Sequence, residues 1–176
     1  NSLSSGLPPK KVSQTISKLI QLESNMGVDI ISKQLKDKLQ ASIQSCSEVS
    51  HAKEDCFFIS SGLSSIYYYL DHILSELKGQ KILYKIDEKN DLYKVLQNCS
   101  EKYDFKLEAL IVKSDHTLNL HQIESQCKKT VGLIIAEHID KENAIIHPVE
   151  QLSKLSRKKK IPFFLDGSLS IGQLIL

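Results

Sequence analysis

The sequence predicts an α/β fold in which helices cover both faces of a mostly parallel β-sheet, giving three layers. From residue 63 onward, amphipathic helical segments alternate with short apolar segments, as in chains built from strand–helix–strand units. The short segments, such as VGLIIA and IPFFL, are apolar on both faces, which is typical of strands buried between two layers of helices. The 176 residues are 41% hydrophobic, which is enough for one domain with a substantial core.

Two helices are predicted before this alternation begins. Apolar residues recur at helical spacing over residues 9–22, and they repeat every four residues over about 27–46. We therefore expect residues 1–46 to form an N-terminal helical segment. Residues 47–176 are expected to form an incomplete α/β domain that belongs to the same structural unit.

The elements of the α/β part follow one another in a regular order. A short β-prone run, CFFISSG, comes first and leads into the clearest helix of the chain. The helices are predicted at residues 63–77, 92–103, 119–127 and 149–160. The strands that alternate with them are predicted at residues 81–86, 107–112, 131–138 and 162–167.

The composition of the chain argues against several classes of binding partner. The formal net charge is +2, so nothing favours nucleic acid or an anionic membrane as a partner. No apolar run reaches the length of a membrane span. The four cysteines contain no CxxC pair and the histidines form no HExxH motif, so no metal site is predicted. We expect free thiols and a reducing, cytoplasmic location.

Candidate binding groups lie where strands end, because ligands of such sheets bind beyond the carboxyl ends of the strands. The segment ISSGLSS runs into a helix, and Gly62 permits a tight turn whose backbone N–H groups could hold a phosphate. The alternative is that Ser61 or Ser64 only caps the helix. Asp166 ends the last strand, where it either caps the next turn or pairs with a cationic ligand. A carboxylate and a phosphate cradle together suggest pyridoxal phosphate.

Three segments, in order, carry a resemblance to a known family. They are NSLSSGLP, CFFISSGLSSIYYYLDHIL and the long block over residues 116–173. They resemble the opening segment, the phosphate-holding strand–turn–helix and the central block of the class V aminotransferases. This family includes cysteine desulfurases, alanine–glyoxylate aminotransferases, kynureninases and isopenicillin-N-epimerase-like proteins. The resemblance implies part of the large domain of fold type I, pyridoxal 5′-phosphate as cofactor, an amino-acid substrate and a homodimer.

The resemblance also implies roles for individual residues. Asp166 would pair with the pyridine nitrogen of the cofactor, and Ser64 with its two preceding neighbours would hold the phosphate. Asn90 lies in the segment that stacks on the cofactor ring, and Leu169 lies on a turn near that ring or its phenolic oxygen. The implied cofactor-binding residues are Gly62, Leu63, Ser64, Asn90, Asp166 and Leu169.

The sequence departs from the family pattern at several positions. The stacking segment DEKNDLYK offers no histidine or aromatic residue at the expected place, although Tyr93 is near. Lys141 stands where desulfurases carry an asparagine, and Leu169 replaces a polar residue. The Schiff-base lysine of the family comes after the aspartate strand, and the chain ends first. Neither Lys89 nor Lys141 stands at that position.

Three hypotheses follow. The chain is a fragment or truncated form of a pyridoxal-phosphate-dependent transferase or lyase that acts on an amino acid. Alternatively, it is a catalytically inactive relative that serves as a binding or scaffold subunit. The third hypothesis is an unrelated doubly wound α/β domain, which a large separation of Asp166 from Gly62 would favour.

Overall fold

The computed structural model describes residues 9–57 and 63–174. It leaves out the side chains of residues 28–31, 33, 34, 63 and 64. The chain divides into two compact units, Asn1–Phe57 and Phe58–Leu176. The segment NSLSSGLP and most of the predicted β-prone run lie outside the described residues. The predicted domain division after residue 46 stays a prediction.

The first unit contains two long helices. Helix α1 spans Lys10–Met26 and helix α2 spans Val28–Ser50. Gly27 separates them with a φ of 79°, a backbone conformation that glycine adopts at low cost. Both predicted helices are present, and α2 runs past its expected end at residue 46 because the polar residues that follow continue it. The hydroxyl of Ser50, for example, bonds to the carbonyl of Cys46 one turn earlier.

The described residues of the second unit, 63–174, form four helices and four strands in the predicted alternation. Its elements are α3 (Leu63–Ser75), β1 (Lys81–Lys85), α4 (Asp91–Tyr103), β2 (Lys106–Ala109), α5 (Leu120–Gln126), β3 (Val131–Glu137), α6 (Val149–Lys159) and β4 (Phe163–Asp166). The strands form one parallel sheet in the order β2-β1-β3-β4. Strand β2 is shorter than predicted, because the chain leaves the sheet after Ala109 and Val112 instead bridges to Leu118.

Helices cover the sheet on both faces. Leu133 and Ile135 of β3 pack in one cluster with residues of α3 and α4. Ile134 and Ala136, which alternate with them, pack in a second cluster with residues of α5 and α6. The predicted three-layer α/β fold is therefore confirmed. Because side chains alternate between the two faces along each strand, the same pattern fixes the face to which each polar side chain at a strand end projects.

Candidate functional site

Two carboxyl groups lie side by side at the carboxyl edge of the sheet. Glu137 ends β3 and Asp166 ends β4, and the two residues are paired in the parallel register of these strands. Ile135 and Phe164, two residues earlier on each strand, both pack with the α3 and α4 cluster. Since side chains alternate along a strand, Glu137 and Asp166 project to that same face.

The Asp166 carboxylate is partly buried and uses one oxygen locally. Its Oδ1 accepts hydrogen bonds from the backbone N–H of Ser168 at 3.0 Å and from the Ser168 hydroxyl at 2.6 Å. This confirms the turn-capping role that the sequence offered as an alternative. Within the described part of the chain, Oδ2 accepts no hydrogen bond. One oxygen of Asp166 thus orders the turn while the other is open to a cationic partner.

The start of helix α3 lies at the same edge of the sheet. Burial raises the pKa of the Tyr67 hydroxyl, and the negative charges of Asp91 and Asp166 raise it further. Tyr67 is one turn into α3, so the charge of Asp166 reaches a side chain of that helix. Gly62 and the side chains of Leu63 and Ser64 lie outside the described residues, and the phosphate cradle stays a prediction.

Glu137 is a site residue to which sequence analysis gave no role. It is only 2% exposed. Its Oε1 accepts hydrogen bonds from Asn90 Nδ2 at 2.8 Å and from the backbone N–H of Asp87 at 3.2 Å. Its Oε2 is buried without a hydrogen-bond partner among the described residues. Burial raises the pKa of Glu137 and the charge of Asp166 adds to this effect, while the hydrogen bonds from Asn90 and Asp87 oppose it.

Asn90 is engaged at both ends of its side-chain amide. It is the N-cap of α4, and its Oδ1 accepts the backbone N–H of Leu92 at 3.0 Å while its Nδ2 donates to Glu137. The nearby aromatic residue, Tyr93, packs against Tyr84 with ring centroids 5.3 Å apart. Burial, together with the Tyr93 hydroxyl, raises the pKa of Tyr84 to about 12. The predicted place of Asn90 beside a cofactor ring stays a prediction.

The remaining predicted positions surround these carboxyl groups. Leu169 is half-buried on the turn that Asp166 caps. Lys141 is exposed on the loop after β3, and its positive charge opposes the raised pKa of Glu137. The pKa of Asp91 is lowered chiefly by its hydrogen bond and ion pair with Lys94, with a smaller effect from the charge of Lys141. Lys89 is exposed and forms an ion pair with Glu142. The structure therefore brings Lys141 close to the carboxyl edge.

The opposite face of the sheet carries a separate polar cluster. Lys85 Nζ lies 3.0 Å from Asp140 Oδ2, and His147 is 1% exposed with both ring nitrogens lacking hydrogen-bond partners in the described part. A cavity of about 370 Å³ beside it is lined by His138, His147 and residues of α6 and β4. This cluster belongs to the α5 and α6 side and does not include Asp166.

Comparison with known proteins identifies the family. The sequence model described as Aminotransferase class-V matches residues 2–175. The chain belongs to the class-V aminotransferase family. The predicted family is thus confirmed, and membership removes the hypothesis of an unrelated α/β domain.

The relatives and solved structures that the chain resembles include cysteine desulfurases. The chain is 27% identical over 156 residues to cysteine desulfurase IscS of Shewanella woodyi, covering 88% of this chain and 36% of that protein. It matches the apo cysteine desulfurase of Thermococcus onnurineus with a TM-score of 0.67 at 22% identity, over 76% of this chain and 34% of that one. A mutant of C-DES with glycine covalently linked to its pyridoxal-phosphate cofactor matches 100% of this chain and 48% of its own, with a TM-score of 0.78 at 16% identity.

The structural matches confirm the fold. The chain spans about a third of the length of the curated relatives that it matches. No helix in residues 9–57 or 63–174 is long and apolar enough to cross a membrane. In the same ranges, no group of three or more histidine, cysteine, aspartate or glutamate side chains is arranged to hold a metal ion.

Proposed function

We propose that this chain is part of a pyridoxal-phosphate-dependent enzyme that acts on an amino acid, and that residues 47–176 belong to its cofactor-binding domain. The observation that carries the proposal is the position of Asp166. It ends a half-buried strand, has one oxygen without a hydrogen-bond partner among the described residues, and acts electrostatically on the Tyr67 hydroxyl of α3. Membership of the class-V aminotransferase family supports the same conclusion.

The described residues fit the chemistry of this cofactor. A carboxylate held by Ser168 on one oxygen can accept a hydrogen bond from a protonated pyridine nitrogen on the other. The N-terminus of α3 supplies backbone N–H groups and a partial positive charge for a phosphate, with Gly62, Leu63 and Ser64 as the residues that would present them. Pyridoxal phosphate, when bound, supplies an electron sink for bond cleavage at the amino acid.

Cysteine is the first substrate to test, because the relatives are cysteine desulfurases and C-DES is described as a cystine C–S lyase. Homodimer formation and a cytoplasmic location complete the proposal and rest on the family resemblance. Leu169, on the turn after Asp166, would then lie near the cofactor ring.

A second candidate function is that of an inactive binding or scaffold subunit. The amide of Asn90 is committed to capping α4 and to Glu137, and no histidine or aromatic side chain occupies the expected stacking position. This arrangement favours weaker contact with a planar cofactor ring than a stacked aromatic residue would provide.

Cofactor binding separates the two candidates. We expect the protein made from the complete coding sequence to change the absorption spectrum of added pyridoxal phosphate. Borohydride reduction and peptide mass spectrometry should then identify one modified lysine. Asp166→Asn should weaken cofactor binding by about 10- to 100-fold, because a charge-assisted hydrogen bond contributes about 1.5–3 kcal/mol.

A matched control is available in the same chain. Asp115 also accepts the backbone N–H and the hydroxyl of the residue two positions later, here Thr117, but it is exposed on a loop. Asp115→Asn should leave cofactor affinity unchanged. A folded complete protein that binds no pyridoxal phosphate would refute the enzyme proposal and support the scaffold function.

A further inference from the structure

The buried carboxyl group of Glu137 has two oxygens in different surroundings. Oε1 accepts two hydrogen bonds, from the side chain of Asn90 and from the backbone of Asp87. Oε2 is buried and has no hydrogen-bond partner in the part of the chain that is described. Oε1 is therefore satisfied as an acceptor, whereas a negative charge on the carboxyl would be shared with an oxygen that no donor contacts, a cost that the neutral acid avoids.

The neighbouring strand supplies a reason for that state. Paired positions on adjacent strands lie about 4.8 Å apart, and here the residue paired with Glu137 on the same face of the sheet is Asp166. Two negative charges at this separation repel each other, and an ionised oxygen buried without a partner is costly. The only opposing charge acting on Glu137 among the described residues is that of Lys141, which is exposed.

We propose that Glu137 is a positioning residue that bears a proton, holds the turn between β1 and α4 through Oε1, and leaves Asp166 as the charged member of the pair. The protonation concerns this chain alone. Its consequence for cofactor binding rests on the proposed function, since a single charged carboxylate is what a protonated pyridine nitrogen requires. The relevant turn carries Asn90, the residue predicted to lie beside the cofactor ring.

Carbon-13 NMR of the chain with labelled glutamate side chains tests the protonation without any cofactor. We expect the Glu137 carboxyl to titrate above 4.5, the ordinary value for glutamate. Asp166→Asn should lower this midpoint because it removes the repelling charge, whereas Asp115→Asn should leave it in place. A Glu137 carboxyl that is ionised at pH 7, or a midpoint that Asp166→Asn does not move, would overturn the proposal.

Two substitutions test the positioning role in the complete protein. Glu137→Gln retains an oxygen that can accept both hydrogen bonds, and its N–H₂ group replaces the acid O–H. Glu137→Met has a side chain of similar length that accepts neither hydrogen bond. We expect Glu137→Gln to bind pyridoxal phosphate about tenfold more tightly than Glu137→Met, as two lost hydrogen bonds suggest. Equal affinities in two variants that fold, judged by their NMR spectra, would refute the role.

The two failures are distinguishable. If the protein binds no pyridoxal phosphate, the proposed function fails, while the NMR titration still decides whether Glu137 is protonated. If cofactor binds but Glu137 titrates as an ordinary carboxylate, the proposed function stands and the inference about Glu137 fails.

Discussion

Replacing Asp140 with asparagine should destabilise the second unit at neutral pH. Asp140 is 4% exposed, and its carboxylate accepts the backbone N–H groups of Glu142 and Asn143 at 2.9 and 3.1 Å. It also pairs with Lys85 of β1 at 3.0 Å. Asparagine keeps one oxygen for the backbone groups but removes the charge, which leaves the largely buried Lys85 ammonium without its partner.

The magnitude follows from the pKa of Asp140. Burial alone would raise it, but the hydrogen bonds from Asn143 and Lys85 and the charge of Lys85 outweigh burial and lower the pKa from 3.8 to about 2. One pKa unit corresponds to about 1.4 kcal/mol, so the charged form contributes about 2 kcal/mol to the free energy of unfolding. This contribution is present above about pH 4 and is lost as the pH falls towards 2.

Urea unfolding of the wild-type chain and of Asp140→Asn, measured from pH 7 to pH 2.5, would test this expectation. The difference in unfolding free energy should be about 2 kcal/mol at pH 7 and should shrink below pH 4. Glu150→Gln is the control, because Glu150 pairs with Lys154 in an exposed i,i+4 arrangement that contributes at most about 0.5 kcal/mol. Equal losses for the two variants, or a loss for Asp140→Asn that is as large at pH 2.5 as at pH 7, would refute the reasoning.

Two further predictions concern stability. Burial, reinforced by the charge of Lys85, lowers the pKa of His147, so the folded chain should lose stability as the pH falls below 6.5, where the unfolded chain takes up the proton. His147→Phe should reduce the change in unfolding free energy between pH 7 and 5, measured by urea unfolding. An unchanged pH dependence in this variant would contradict the prediction. Leu152→Ala, at a fully buried position of α6, should cost about 2–5 kcal/mol in the same assay. Ile146→Ala, at an exposed position, should cost less than about 0.5 kcal/mol, and similar losses for both would contradict the assigned core.

The fold was predictable because its strands and helices differ in local pattern. VGLIIA and PFFLD are too short and too uniformly apolar for amphipathic helices, and the helices between them carry apolar residues at 3–4-residue spacing. Boundaries were harder to predict. Helix α2 runs to Ser50 through polar residues that carry no periodic apolar signal.

The site was predictable only where one residue type at a strand end suggests a role. Asp166 was selected as a candidate in this way, and its role stays a prediction, whereas Glu137 offered the same signal at the end of VGLIIAE. What could not be predicted was the pairing of Glu137 with Asn90, which lies 47 residues earlier. That contact depends on the register of β1 and β3 and on the turn that follows β1, and neither is encoded in a short motif.

The strand order has a consequence for handling the chain in solution. Strand β4 is at one edge of the sheet and, in the described part of the chain, pairs on one side only. Its sequence FFLD brings three half-buried apolar side chains and a row of unpaired backbone groups to that edge. Such an edge is a template for intermolecular strand addition, whereas β2 at the other edge carries Lys106 and Glu108. Self-association of the isolated chain should therefore begin at β4.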